Sequence, residues 1–107
     1  MTIPKQVKIF GMTIEVSPDY DLMNRDDTVG EANHRSNTIR ILPSTVTMPR
    51  TQEQLEQTYL HELVHFILYY MKKEDLRKDE DFVDSFALAF HQALVTQEGD
   101  SSRDLML

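Results

Sequence analysis

The stretch Tyr59-Leu60-His61-Glu62-Leu63-Val64-His65-Phe66 contains the pattern His-Glu-x-x-His. On an α-helix, residues four apart project from nearly the same side. His61 and His65 can therefore share one metal ion while Glu62, about a quarter-turn round, reaches a water bound to it. Two neutral imidazoles at that spacing suit zinc, which takes nitrogen ligands at about 2.0–2.1 Å. A catalytic zinc is held by three protein ligands and keeps one position open for a water whose pKa falls to about 7. Glu62 is placed to take the proton from that water. A lone histidine is more often an ordinary core or surface residue, and a helical glutamate more often a solvated charge. Two histidines bracketing a glutamate make the metal site the stronger reading.

The residues on either side predict the helix that the motif requires. Thr51-Gln52-Glu53-Gln54 has the form of a capping box with Pro49 just outside it, so a helix starts near Thr51. Leu55, Tyr59, Leu63, Phe66, Ile67 and Tyr70 then recur at helical spacing. No Pro or Gly interrupts before Lys72 and Lys73, whose charges favour a helix C-terminus. Residues 63–71 are apolar nearly all the way round, so this helix is expected to be central and buried.

Upstream, Val7-Lys8-Ile9-Phe10-Gly11-Met12-Thr13-Ile14-Glu15-Val16 reads as a strand bent at Gly11 or as a tight hairpin, closed by Ser17-Pro18. Residues 19–27 are polar and predict a loop or a short helical turn. Thr28–Ala32 and Thr38–Leu42 flank the polar group Asn33-His34-Arg35-Ser36-Asn37, a second hairpin, and Pro43 ends the sheet. Downstream, Glu74–Asp79 reads as a charged connector. A second helix follows from Glu80-Asp81, with Phe82, Val83, Phe86, Ala87, Phe90, Ala93 and Leu94 as its apolar face and Gly99 as its stop. Its phenylalanines are expected mostly in the core against the first helix. Residues 97–107, ending in Leu105-Met106-Leu107, form a flexible or docked tail.

A third metal ligand has to come from elsewhere in the chain. Glu80, Asp84, Ala87 and His91, at i, i+4, i+7 and i+11, line one stripe of the second helix. Packed antiparallel against the motif helix, that stripe can face His61 and His65. Glu80 is then the candidate ligand, and Asp84, one turn on, the candidate acceptor for the other ring N–H of a ligating histidine. The competing view is that both are simply favourable charges near a helix N-terminus.

Composition bounds the rest. The 107 residues, 40% hydrophobic and 27% charged, predict one soluble domain over 1–107 with a modest core. The net charge of −7 and the absence of a basic stripe argue against a nucleic-acid partner. No apolar run approaches a membrane span, and Met1-Thr2-Ile3-Pro4-Lys5 lacks a signal-peptide core. With no cysteine, ligands must be histidine and carboxylate, and a cytoplasmic setting fits best.

His61-Glu62-Leu63-Val64-His65 followed by Glu80-Asp81-Phe82-Val83-Asp84 resembles the gluzincin clan of zinc metallopeptidases. There, His-Glu-x-x-His on one helix is completed by Glu-x-x-x-Asp on the next. At this length the chain looks like a minimal member, of the minigluzincin kind. It is also similar to small phage-associated metallopeptidase-like proteins related to those that act on repressors. The resemblance covers roughly residues 28–95 and implies a small zincin-like single lobe of the α+β class. In such a lobe an antiparallel or mixed sheet of three to four strands packs on the motif helix and a following C-terminal helix. It implies that His61, His65 and Glu80 bind one zinc ion, that Glu62 is general base and acid, and that Asp84 orients a ligating histidine. It also implies an edge strand, here residues 28–33, that binds an extended peptide or protein substrate by strand addition. The implied activity is peptide-bond hydrolysis through a zinc-bound water activated by Glu62. Larger gluzincins stabilise the oxyanion with a histidine or tyrosine from a further domain. Tyr69, Tyr70, His91 and His34 are the local candidates for that role. Two other readings stand beside the peptidase: a weak or inactive zincin-fold module that binds a partner protein, and a small acidic interaction protein in which the motif is accidental.

Overall fold

Two hairpins build the sheet. In the first, β1 (Gln6–Ile9) pairs antiparallel with β2 (Met12–Pro18), and Ile9 faces Met12 across a two-residue turn. Both turn residues are left-handed, Phe10 at φ 50° and Gly11 at φ 78°, as the right-handed twist of such a hairpin demands. The stretch read as either bent strand or hairpin is thus a hairpin. Gly11 takes that conformation without penalty, whereas Phe10 carries the strain and turns its ring outward. In the second, β3 (Gly30–Asn33) pairs antiparallel with β4 (Thr38–Ile41). The Asn33 side-chain oxygen accepts from the backbone N–H groups of Arg35 and Ser36 at 3.1 and 3.2 Å, which pins the loop.

The computed structural model describes residues 1–98; Gly99 and Leu105-Met106-Leu107, read above as helix stop and tail, lie outside the described residues. Helix α1 (Leu22–Asp26), anchored by fully buried Leu22, carries the chain from β2 towards β3. Strand β4 then lies parallel to β2, from Glu15 opposite Thr38 to Pro18 opposite Ile41. The sheet is therefore mixed, in the order β1-β2-β4-β3, and β3 is left on an edge.

Helix α2 (Gln52–Tyr70) begins at the capping box: Thr51 Oγ1 accepts from the Gln54 N–H at 3.1 Å, and Gln54 Oε1 accepts from the Thr51 N–H at 2.9 Å. It ends where Lys72 turns left-handed at φ 60°. There the Lys73 N–H reaches Leu68 C=O at 2.9 Å and the Lys72 N–H reaches Tyr69 C=O at 3.0 Å, a Schellman closure made without glycine. The charged connector contains one short helical turn, α3 (Glu74–Arg77). Helix α4 (Glu80–Thr96) starts at Asp79, whose Oδ1 accepts from the Phe82 N–H at 3.1 Å.

The result is a single α+β lobe. Ile14, Ile39 and Ile41 of the sheet pack with Tyr59, Leu60, Val64, Phe66 and Leu68 of α2 and with Val83 and Ala87 of α4. The expectation that most phenylalanines of α4 fill this core is overturned: Phe82, half-buried, packs against it, and the other two do not. Phe86 is 49% and Phe90 45% exposed, and the two rings stack at 6.2 Å on the outer face. The buried stripe is Val83, Ala87 and His91. Small side chains let α4 approach α2 closely, whereas a phenyl ring at the contact would push it away. Among the described residues, no helix is long and apolar enough to cross a membrane.

Candidate metal centre

The reversal at Lys72, the turn of α3 and the Asp79 cap start α4 beside the middle of α2. Close packing at Val83 and Ala87 then brings Glu80 to the two histidines. Glu80 Oε2 lies 3.1 Å from His61 Nε2, and Glu80 Oε1 lies 3.2 Å from His65 Nε2. One donor atom from each of the three residues falls within 4.8 Å of the others, so the cluster can hold a metal ion. Donors about 2.0–2.1 Å from a tetrahedral zinc stand about 3.3 Å apart, so the spacing suits that ion. The donor chemistry suits it as well. Burial lowers the pKa of His65, which favours the neutral imidazole that ligation requires. A lone pair on Nε2 facing a carboxylate oxygen needs a proton or a cation between them.

Asp84, one turn beyond Glu80, has Oδ1 3.5 Å from His61 Nδ1, on the far side of the ring from Glu80. The cluster opens to solvent on the side of α4, where the Glu80 side chain is 65% exposed, while His65 is 13% exposed.

Glu62, next to His61 on α2, lies between the cluster and β3 of the sheet. It is buried, and its carboxyl is pushed up to about 8, first by burial and then by the charges of Glu80 and Glu31. Gly30 on β3 makes room for it: a methyl group there would stand 2.8 Å from Glu62 Oε2 and 2.6 Å from Thr58 Cγ2. A lone glycine within a strand pattern signals such a close approach, a clue that the sequence itself carries. Between Glu62 and the start of β3 lies a groove of about 450 Å³, bordered by His61, Asp84, Thr28, Thr58 and Arg50. Neither Thr58 nor Arg50 stood out in the sequence, because nothing local marks them.

The remaining polar candidates divide. His91 Nε2 lies 2.8 Å from Glu56 Oε1, both side chains nearly inaccessible, so the far end of the α4 stripe is an internal hydrogen-bonded pair. Tyr70 donates its hydroxyl to Asn37 Oδ1. His34 stacks flat on Tyr69 at 4.1 Å, with Arg77 on the Tyr69 ring at 5.8 Å. The His34 Nε2 is buried without a partner among the described residues.

A mixed sheet laid on a His-Glu-x-x-His helix, with the two histidines meeting a glutamate from the next helix, defines a zincin-like lobe. The model of the SprT-like family matches residues 6–94, a span that includes His61, Glu62, His65, Glu80 and Asp84. The chain belongs to the SprT-like family, a zincin-like family related to metallopeptidases. No curated protein and no solved structure matches it.

Proposed function

We propose that this chain is a minimal zinc-dependent peptidase with a ligand set of the gluzincin kind, acting on an extended peptide or protein segment. The observation that carries this is the convergence of His61 and His65 Nε2 on the two oxygens of Glu80, at 3.1 and 3.2 Å, beside a buried Glu62. His61, His65 and Glu80 would hold the ion. Zinc bound there supplies an acidified water and a Lewis acid for the scissile carbonyl.

Glu62 takes the proton from the attacking water and passes it to the leaving amine. A carboxyl poised near neutrality can hold that proton between the two transfers. Asp84 Oδ1, 3.5 Å from His61 Nδ1, is the carboxylate that would accept the ring N–H and so select the tautomer with a free lone pair at Nε2. The open edge of β3 offers backbone N–H and C=O groups to a peptide laid alongside α2.

The test is metal analysis of the purified protein followed by a peptide-cleavage screen. One zinc per chain and turnover are expected, and Glu62→Gln should keep the zinc while losing about 10²- to 10⁴-fold in rate. Unchanged turnover in Glu62→Gln refutes the proton-transfer role. Stoichiometric zinc with no turnover on any peptide assigns the chain instead as a binding module, and absence of zinc ends both readings.

A further inference from the structure

The groove that borders His61 and Glu62 runs on to Arg50. This side chain spans the gap between the end of β4 and α2. Its Nη1 donates to Leu42 C=O at 2.7 Å, and its Nη2 to Thr58 Oγ1 at 2.6 Å and to Gln54 C=O at 3.5 Å. All three acceptors are neutral, and they hold the guanidinium in one orientation at the groove wall. Elsewhere Arg25 pairs with Asp19 and Asp26, Arg40 with Glu31, and Arg77 with Glu74, while Arg35, on the exposed β3–β4 loop, has water as its partner rather than a burying wall. Arg50 has no carboxylate within ion-pair distance among the described residues, although the chain carries 18 acids. Burial lowers its pKa with no opposing charge. A partly desolvated cation with no internal counter-charge is costly for the fold, and an incoming anion offsets that cost. Three of its five N–H donors are committed to protein acceptors, so donors remain for a ligand. Thr28, Gln54, Gln57 and Thr58, which line the groove with Arg50, are polar and uncharged, and its two acids, Glu62 and Asp84, lie with His61.

We propose that Arg50 is the specificity-determining residue of the groove. It selects peptides with a carboxylate, from an Asp or Glu side chain or a free C-terminus, that reaches the guanidinium while the bond to be cut lies at Glu62. This rests on the peptidase reading for the cut bond, though not for the binding. A guanidinium–carboxylate pair is the strong, oriented kind of hydrogen bond, and its loss is felt in both binding and turnover.

The test uses alanine-based nonapeptides with a single Glu or Gln moved through the sequence, each made with an acid and with an amide terminus. Turnover is measured with zinc-loaded protein, and binding to Glu62→Gln protein by fluorescence anisotropy. On one side of the cut bond only, one carboxylate should beat its neutral counterpart about ten-fold or more in kcat/KM and in Kd. A Glu-over-Gln preference names the side chain as the source; an acid-over-amide preference names the terminus. In Arg50→Gln the acid-to-neutral ratio should fall to within about two-fold of unity. That variant also loses the ties to Leu42 and Thr58, so its fold is checked by circular dichroism. Arg50→Lys, which keeps a cation at the site, must retain an acid preference.

The proposal is overturned by equal use of acidic and neutral peptides in both assays, by a preference that survives in Arg50→Gln, or by its loss in Arg50→Lys. Turnover without acid preference sinks this proposal and leaves the peptidase. Arg50-dependent binding of acidic peptides without turnover sinks the peptidase and leaves this site.

Discussion

Glu56 and Glu62 lie six residues apart on α2 and are almost equally buried, at 6% and 9% exposure, yet their environments drive them in opposite directions. The hydrogen bond from His91 holds the Glu56 carboxyl below its usual range. Burial beside the charges of Glu80 and Glu31 pushes Glu62 up to about 8. Near the start of the helix the buried charge is answered from within the protein, so it serves packing. Next to the histidines no partner answers it, and such perturbed carboxyls cluster at functional sites. Arg50 sits on the same side of that division as Glu62.

The sharpest way to break the comparison is to neutralise each glutamate. Beyond the loss of turnover already stated, Glu62→Gln should not lower the melting temperature, because an uncharged amide suits a site that resists charge. A fall in melting temperature as large as that of a Glu56 variant would erase the distinction. Next in size are the two acids of α4. Glu80→Ala should weaken zinc binding more than Asp84→Ala, for which a loss of about ten- to a hundred-fold is expected in chelator competition. If the order is reversed, ligand and supporting residue have been exchanged.

Glu56→Ala leaves His91 buried without its partner and should cost about 3 kcal/mol in urea unfolding, with one zinc still bound. The pH dependence of the zinc-stripped protein separates the two carboxyls by sign. The lowered pKa of Glu56 contributes stability that is present above its unfolded value of about 4.5 and is lost as pH falls through the folded value. For Glu62 the folded state binds the proton more tightly, so stability falls as pH rises from about 4.5 to about 8. Denaturation midpoints across pH should therefore show a shallower acid limb in Glu56→Gln, where Asp19 and Glu74 still contribute, and a flatter slope between those two values in Glu62→Gln.

The smallest effects lie on the outer face of α4. Val83→Ala removes buried methyl groups and should cost about 2 kcal/mol, whereas Phe86→Ala should cost under about 1 kcal/mol. Equal losses would return the phenylalanines to the core.

Much of this molecule was legible along the chain wherever the forces are local. Thr51 and Gln54 satisfy each other's N–H groups within one turn, so the start of α2 could be read from four residues. The helical repeat alone sets His61 and His65 on one side, with Glu62 beside them. The second hairpin was visible in its turn residues, the first only as one of two readings of the bend at Gly11, and the stripe of Glu80 and Asp84 in its spacing.

Tertiary structure alone decided what these elements face. The parallel pairing of β2 with β4 leaves β3 on the edge beside α2, and no residue in either strand announces that partner. Apolar content favoured Phe86 and Phe90 as the packed face of α4, but Val83, Ala87 and His91 are the residues buried there. His91 meets Glu56 across 35 residues, and Arg50 is left without an acid among the described residues, through contacts that arise only once distant segments close. Hydrogen bonds within a turn need only the neighbouring residues. Burial, charge pairing and helix approach depend on the entire packed chain, so they could not be read from any stretch of it alone.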